Sequence, residues 1–189
     1  MQSVAQLEQV PGRMQLAGSA AGAHVYIDYA HTPDALDNAC RTLRELNPGR
    51  LIVVFGCGGD RDRSKRPLMG QVVGELSDFA VITSDNPRSE PPQQIIDDIM
   101  TGMTTMAKIA IVDRAEAIQK TIAASRAGDI ILIAGKGHEN YIESNGVKID
   151  YSDHSQALKA IRQRVLDAAA FRESLPIRGG KRKRREEGE

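Results

Sequence analysis

Short runs of apolar residues alternate along the chain with longer segments in which apolar residues recur at helical spacing. Five of these runs predict β-strands, at residues 24–29, 51–55, 80–83, 108–112 and 130–134. Most of them are almost continuously apolar, which is typical of parallel strands that helices cover on both faces. The pattern therefore predicts an α/β fold with a doubly wound, mostly parallel sheet.

Two of the predicted helices begin directly after a strand. Thr32 is placed to cap the first of them, and Pro33 suits its first position because a proline there leaves no N–H unpaired. Asp113, followed three residues later by Glu116, is a capping-box pattern at the start of another helix. These signals support the alternation of strand and helix.

The end of the domain follows a different pattern. The dipeptide Asn145-Gly146 predicts a tight turn between segments 141–144 and 147–151. We therefore expect an antiparallel hairpin at the edge of a Rossmann-like sheet, followed by one more helix. The chain contains no internal repeat.

The predicted elements fill a single domain of ordinary size, since one domain typically spans ~100–200 residues. We place this domain at residues 23–174 and interpret the preceding segment 1–22 as a linker from a missing central domain. Residues 175–189 form a charged tail that we expect to be disordered. Its last nine residues, KRKRREEGE, hold five basic and three acidic side chains, and such a run is usually a solvated end.

Charge and cysteine content narrow the class of protein. The chain has 25 basic and 25 acidic residues, so no net positive field predicts a nucleic-acid partner. No apolar run approaches the ~20 residues of a membrane-spanning helix, and we expect no membrane partner. Cys40 and Cys57 form no Cys-x-x-Cys pair, which favours a reduced, cytoplasmic protein without a disulfide.

Four loops that follow predicted strands are unusually polar. They read DYAHTPD (28–34), GCGGDRDR (56–63), SDNPR (84–88) and GKGHE (135–139). In an open parallel sheet, ligands bind beyond the carboxyl ends of the strands. We therefore expect these four loops to meet around one cleft.

Several common site types do not fit these loops. Arg61 stands where the third glycine of a dinucleotide-binding G-x-G-x-x-G would be, and no G-x-x-x-x-G-K-[ST] phosphate loop occurs. A G-x-S-x-G nucleophile elbow is also absent from the sequence. The four histidines and two cysteines do not have metal-ligand spacing. We accordingly predict neither a catalytic residue nor a metal ligand in this chain.

The cleft rim instead carries charges of both signs. Arg61 and Arg88 could each hold a carboxylate or phosphate in a bidentate fork, whereas Asp85 and Glu139 could hold an ammonium group. A zwitterionic ligand would satisfy both sets. Neutral hydrogen bonds to such a ligand could come from Asn86 and from the backbone at Gly135.

The strings DYAHTPDAL, VFGCGGDRDRSKRPLMG, SDNPRSE, DRAEAI, AGKGHE and DYSD resemble the C-terminal domain of the Mur ligases. The resemblance runs from Val10 to about Val165 and is greatest to the family members that add diaminopimelate to the peptidoglycan stem peptide. It implies the Mur ligase C-terminal fold and an ATP-dependent, amide-forming ligase.

The resemblance also implies roles for particular residues. It places meso-diaminopimelate against the Asp-Asn-Pro-Arg motif and three other loop positions, and it places ATP against three residues nearer the N-terminus. Lys136 and His138 are further candidates. The implied amino-acid contacts are Arg61, Asp85, Asn86, Pro87, Arg88, Gly135 and Glu139, and the implied ATP contacts are Arg13, Asp28 and His31.

Two departures from the family pattern, Ser64 and His154, lie outside the recognition motif. The family's UDP-substrate domain and its central P-loop domain have no counterpart in the chain. We therefore expect UDP-MurNAc-L-Ala-D-Glu and Mg²⁺ to be bound mostly by residues outside it, and the isolated chain not to turn over ATP. The alternatives are a lysine-adding or polyglutamate-adding family member, and a stand-alone amino-acid- or nucleotide-binding module.

Overall fold

The computed structural model describes residues 10–103 and 107–174, with side chains as far as residue 170. The described elements are eight strands and five helices. They run in the order β1 (Gln15–Ala20), β2 (Ala23–Asp28), α1 (Pro33–Arg44), β3 (Arg50–Phe55), α2 (Lys65–Leu76), β4 (Phe79–Ile82), α3 (Pro92–Met100), β5 (Lys108–Ala110), α4 (Arg114–Ala123), β6 (Asp129–Ala134), β7 (Tyr141–Ser144), β8 (Val147–Asp150) and α5 (Asp153–Ser174).

Six strands form the main sheet in the order β1-β2-β6-β3-β4-β5. All neighbouring pairs are parallel except β1 with β2. The central strand β6 is buried along its whole length, and its continuous apolar run at residues 130–134 is typical of such a strand. The α/β class and the doubly wound, mostly parallel sheet are confirmed.

Helices cover both faces of this sheet, so the core has two halves. One half joins α1, α2 and α3 to the sheet through residues such as Leu36, Val73 and Ile96. The other joins α4 and α5 through residues such as Ile118 and Ile161. The opposed cores explain why successive residues of β3 and β6 are apolar.

The two predicted helix starts are present. The Thr32 side chain accepts a hydrogen bond from the Ala35 amide at 3.3 Å, and Pro33 opens α1. The Asp113 carboxylate accepts one from the Glu116 amide at 2.8 Å at the start of α4.

Strand β1 lies inside the segment 1–22 that we predicted to be a linker, so the folded domain begins earlier than the apolar pattern indicates. It pairs antiparallel with β2, with an irregularity between Leu16 and Gly18. Three of the six residues of β1 are half-buried and two are exposed, and its last four residues are Ala, Gly or Ser. An edge strand of this kind lacks the continuous apolar run by which the buried strands were recognised.

The hairpin of β7 and β8 is present, but its predicted position at the edge of the sheet is wrong. The two strands form a separate sheet, because β1 and β5 occupy the two edges of the main one. The hairpin follows the central strand β6 and lies beyond the carboxyl ends, where a bridge joins Ser144 to Arg88. The predicted tail 175–189 lies outside the described residues.

Candidate functional site

A cleft of about 540 Å³ opens beyond the carboxyl ends of the parallel strands. Its lining comes from the loops after β2, β3, β4 and β6, from the start of α2, and from Tyr141 of the hairpin. The four polar loops therefore meet around one cavity, at the place that the strand order predicts. Its volume is in the range of small-molecule sites.

Most of the predicted amino-acid contacts line this cleft. Pro87 is the exception: its carbonyl oxygen accepts a hydrogen bond from the Glu90 amide at 3.0 Å and lies against Gly59. A β-carbon at Gly59 would stand 1.9 Å from that oxygen, so only glycine allows the two loops to approach so closely. The predicted contacts that line the cleft are Arg61, Asp85, Asn86, Arg88, Gly135 and Glu139.

Lys136 is fully buried behind this lining. Its ammonium group lies 3.1 Å from an oxygen of Asp85 and 3.3 Å from one of Glu139. It also donates to the Asn86 side-chain oxygen at 2.9 Å and to the Tyr141 carbonyl at 2.7 Å. One cation thus offsets the repulsion between two carboxylates and joins two loops of the cleft to the hairpin.

Asn86 connects the carboxylate side of the cleft to the hairpin. Its side-chain nitrogen donates to Glu139 at 3.0 Å, and its side-chain oxygen accepts from the Glu143 amide at 3.0 Å. The same oxygen is held by Lys136. The side-chain oxygen is thus held from two sides, which fixes the orientation of the amide.

Arg88 lies in the left-handed backbone region, with φ of 52°. Its amide donates to the Glu143 carbonyl at 3.0 Å, and its carbonyl accepts from the Asn145 amide at 2.7 Å. Its side chain donates through Nη1 to the Gly59 carbonyl at 2.7 Å. The unusual backbone lets one residue bind the hairpin with its main chain and face the cleft with its guanidinium.

A second buried cation, Arg66, supports the loop that carries Arg61. Its guanidinium donates to both oxygens of Glu90 at 3.0 and 2.8 Å and to Asp98 at 2.9 Å. Glu90 also accepts from the Asp60 amide at 2.6 Å. The hydrogen bonds from Arg66 are the main reason why the pKa of Glu90 is lowered to about 2.

A third ion pair lies behind the cleft between Arg114 and Asp153, both of which are completely buried. Arg114 donates to the two carboxylate oxygens at 2.8 and 2.7 Å and to the Ala134 carbonyl at 2.9 Å. Burial alone would lower the pKa of Arg114, but the neighbouring charge of Asp153 raises it. The pair connects the starts of α4 and α5 to the end of β6.

Two of the three residues predicted to face ATP, Arg13 and His31, lie near the aromatic ring of Tyr29. The Arg13 guanidinium lies 4.9 Å from the centre of this ring, and the His31 and His138 rings lie 4.5 and 5.5 Å from it. Tyr29 and His31 line the cleft. Asp28 instead accepts hydrogen bonds from the Met14 and Ala30 amides at 2.7 and 2.8 Å.

The described residues offer no cluster of three or more His, Cys, Asp or Glu side chains suited to a metal ion. Cys40 and Cys57 are both free and buried. Burial raises the pKa of the Cys57 thiol to about 12, so this cleft residue is a weakly reactive thiol. Within residues 10–103 and 107–174, no helix is long and apolar enough to cross a membrane.

Residues 12–137, more than half of the chain, match the family described as Mur ligase, glutamate ligase domain. The chain belongs to the Mur ligase family. This membership agrees with the resemblance of the loop motifs and confirms the family assignment.

Named relatives in the Mur ligase family are similar over most of this chain. The UDP-N-acetylmuramoyl-L-alanyl-D-glutamate–2,6-diaminopimelate ligase of Syntrophomonas wolfei is 50% identical over 166 residues, which are 86% of this chain and 34% of that protein. The enzyme of the same name from Chromobacterium violaceum is 51% identical over 160 residues, 84% of this chain and 32% of that protein. The chain therefore spans about a third of the length of these Mur ligases.

Solved structures agree with the Mur ligase fold. A UDP-N-acetylmuramoyl-L-alanyl-D-glutamate–2,6-diaminopimelate ligase superposes with a TM-score of 0.79 at 45% identity, over 85% of this chain and 33% of that one. Escherichia coli FolC in complex with ADP superposes with a TM-score of 0.53 at 22% identity, over 86% of this chain and 33% of that one. The second likeness supports the fold alone.

The motifs contained more site residues than the sequence reasoning assigned. Arg114 and Asp153 lie in the DRAEAI and DYSD strings, and Arg66 and Glu90 lie in two others, but none was given a role. Charged or polar neighbours surround each of them in the sequence, so no local signal marked them as buried. Their burial is compatible with folding because each charge is paired.

Proposed function

We propose that this chain is the amino-acid-binding domain of an ATP-dependent ligase that adds meso-diaminopimelate to UDP-MurNAc-L-Ala-D-Glu in the cytoplasm. The observation that carries the proposal is the division of charge in the cleft. Arg61 and Arg88 lie on its lining together with Asp85 and Glu139. Support also comes from the printed names of relatives that are 50 and 51% identical to the chain.

Diaminopimelate and lysine differ in the group that would meet an arginine. Both have an amino group at each end, but only diaminopimelate has a second carboxylate. A guanidinium aimed at that carboxylate would be left without its partner by lysine, at a cost of ~1–3 kcal/mol. Arg88 fits this role because its side chain is mostly buried, with 20% of its surface exposed. We infer a preference for diaminopimelate over lysine.

The proposed reaction forms an amide in two steps in the longer enzyme. ATP first transfers its terminal phosphoryl group to the side-chain carboxylate of D-Glu. The diaminopimelate amine then attacks the acyl carbon, the new C–N bond forms, and the C–O bond breaks as phosphate leaves with its electron pair. The amine loses its proton to the surrounding solvent or to the departing phosphate.

The contribution of this chain would be placement of the nucleophile. A rigid cleft that holds the charged distal end of the amino acid limits the orientations of its reacting amine, and such positioning lowers the entropic part of the barrier. The buried Lys136, Arg66 and Arg114 pairs give the loops that rigidity. The described residues do not fit a Mg²⁺ site, so no step is assigned to a metal held here.

The Tyr29 cluster, which consists of the Tyr29 ring with Arg13, His31 and His138 around it, is the proposed ATP side of the cleft. Arg13 would approach the phosphates, Asp28 the ribose and His31 the nucleotide at the cleft mouth. Asp28 already accepts two backbone hydrogen bonds, but a carboxylate has capacity for further donors. His138 stands in the same cluster. Because the phosphate loop is expected outside this chain, the purified chain should not hydrolyse ATP.

The direct test is calorimetric titration of the purified chain with meso-diaminopimelate, L-lysine and ATP. We expect diaminopimelate to bind and lysine to bind at least about fivefold more weakly, as the loss of one paired charge predicts. Arg88→Lys should reduce this preference because a lysine cannot reproduce the guanidinium fork. Arg41→Lys, at an exposed ion pair on α1, is the matched control.

Four results would count against the proposal. Equal binding of lysine and diaminopimelate would favour a lysine-adding ligase, and unchanged selectivity in Arg88→Lys would remove the assigned role of the motif. Binding of ATP alone would favour a nucleotide-binding module. ATP-dependent ligation by the purified chain would contradict the expected need for the other domains.

A further inference from the structure

Glu143 is a carboxylate that neither the motifs nor the proposed function uses. It lies on β7, and its side chain is about three-quarters buried. Its Oε2 atom stands 3.6 Å from Nε of Arg88, the guanidinium that we assign to the substrate carboxylate. Among the described residues, Arg88 is the one cation that forms an ion pair with Glu143.

The main chain of Glu143 is held independently of this carboxylate. Its amide donates to the Asn86 side chain at 3.0 Å, and its carbonyl accepts from the Arg88 amide at 3.0 Å. The hairpin would therefore keep its attachment if only the charge of the side chain were removed. A substitution that removes only the charge of Glu143 therefore tests its electrostatic effect without detaching the hairpin.

The hydrogen bonds of Arg88 leave room for a second carboxylate. Nη1 donates to the Gly59 carbonyl at 2.7 Å, and Nε faces Glu143. The hydrogen bonds within the described part of the chain leave Nη2 without a partner. A ligand carboxylate could approach this end of the guanidinium from the cleft, which Arg88 lines.

We propose that Glu143 is an internal counter-ion of Arg88 that tunes the selectivity of the cleft for amino acids with a second carboxylate. This inference rests on the proposed function, because it takes Arg88 to be the group that binds that carboxylate. Without a ligand, Glu143 compensates a largely desolvated guanidinium. With a dicarboxylic amino acid bound, it repels the ligand carboxylate across the shared cation, and it thereby limits affinity.

The Glu143 carboxylate also reduces the difference in affinity between diaminopimelate and lysine. A lysine ligand leaves Arg88 without a ligand charge, but Glu143 still compensates the guanidinium in that complex. Removal of the Glu143 charge should therefore favour diaminopimelate and give lysine no gain. Glu143 is in this sense a positioning and selectivity residue that acts through Arg88.

The test compares Glu143→Gln with the unaltered chain by calorimetric titration. We expect the Kd of meso-diaminopimelate to fall about three- to tenfold, as expected for removal of a like charge several ångströms away in a partly solvated site. The gain should shrink at high salt, and the affinity for L-lysine should not rise. An unchanged or weaker affinity for diaminopimelate would overturn the proposal.

The matched control is Glu116→Gln, which makes the same change in net charge at an exposed pair with Lys120 on α4. It should leave both affinities unchanged. An equal gain in the control would show a general effect of net charge and would also overturn the proposal.

A second measurement separates this inference from the proposed function. The ¹⁵Nε resonance of Arg88, assigned by its loss in Arg88→Lys, should shift in Glu143→Gln and stay in place in Glu116→Gln without any ligand. If no form of the chain binds diaminopimelate, the proposed function of the isolated domain fails, and this resonance still decides whether Glu143 is the counter-ion. An unmoved resonance in Glu143→Gln would overturn that assignment.

Discussion

The Lys136 ammonium lies 3.1 Å from Asp85 and is completely shielded from solvent. This ion pair joins the loop after β6 to the loop after β4, and both loops line the cleft. Because Glu139 and Asn86 share the same ammonium group, one buried charge determines the arrangement of three residues assigned to amino-acid binding.

Lys136→Met should destabilise the domain strongly. The substitution keeps most of the side-chain volume but leaves two carboxylates near each other without their cation, and breaking a buried pair in this way costs about 3–5 kcal/mol. The free energy of unfolding in urea measures the effect. Lys120→Met, which breaks an exposed pair on α4, should change it by less than about 1 kcal/mol. Similar losses in the two variants would contradict the assigned role of Lys136.

The Arg114–Asp153 pair should show strong coupling. Arg114→Met alone leaves a buried carboxylate unpaired, and we expect a loss of about 3–5 kcal/mol in the free energy of unfolding. The double variant with Asp153→Leu should lose less than the sum of the two single variants, since it leaves neither charge alone. Additive losses in a double-mutant cycle would be the contrary result.

Glu90 should contribute to the acid sensitivity of the fold. Its pKa is lowered from an ordinary 4.5 to about 2 in the folded chain, chiefly by Arg66. Because the pKa of Glu90 is lower in the folded than in the unfolded chain, its ionisation stabilises the native state. This contribution is fully present above pH 4.5 and is lost as the pH falls towards 2. Urea unfolding at pH 6 and pH 3 measures the effect. The free energy of unfolding should fall less between these pH values in Glu90→Gln than in the unaltered chain.

The control for this pH dependence is Glu75→Gln. Glu75 is exposed on α2 and accepts a hydrogen bond from Gln71. The Glu75 variant should lose as much stability between the two pH values as the unaltered chain. If the Glu90 variant behaves in the same way, Arg66 does not depress the Glu90 pKa as assigned.

Gly59→Ala should disturb the cleft through sterics alone. The added methyl group would stand 1.9 Å from the Pro87 carbonyl, so the loops that carry Arg61 and Arg88 would have to separate. Overpacking of this kind costs about 1–3 kcal/mol, and we expect diaminopimelate binding to weaken as well. Gly49→Ala, whose nearest contact would be 3.4 Å, is the matched control. Equal unfolding energies and affinities for the two variants would be evidence against the close approach.

The sequence was sufficient to predict the buried part of the fold. Continuous apolar runs located the interior strands, and Thr32 and Asp113 marked two helix starts that are present. The meeting of the four polar loops followed from the rule for parallel sheets, so Arg61, Asp85, Arg88 and Glu139 could be grouped before any coordinates were considered.

The remainder depended on tertiary contacts that leave weak local signals. Strand β1 is a half-buried edge strand and lacks an apolar run. The hairpin turn was visible in Asn145-Gly146, but its location depends on contacts with Arg88 from a distant loop. The burial of Lys136 could not be read from its neighbours, because a lysine between two glycines is equally compatible with an exposed loop.

The hairpin is joined to the rest of the described domain by hydrogen bonds that all end on Asn86, Arg88 or Lys136. Its local unfolding and the occupancy of the cleft are therefore linked equilibria. A ligand that steadies those three residues makes hairpin opening rarer, so the Glu143 and Asn145 amides would exchange their hydrogens more slowly. The amides of β6, which lie in the centre of the sheet, would keep the slow exchange of global unfolding, and the difference would report occupancy from the backbone alone.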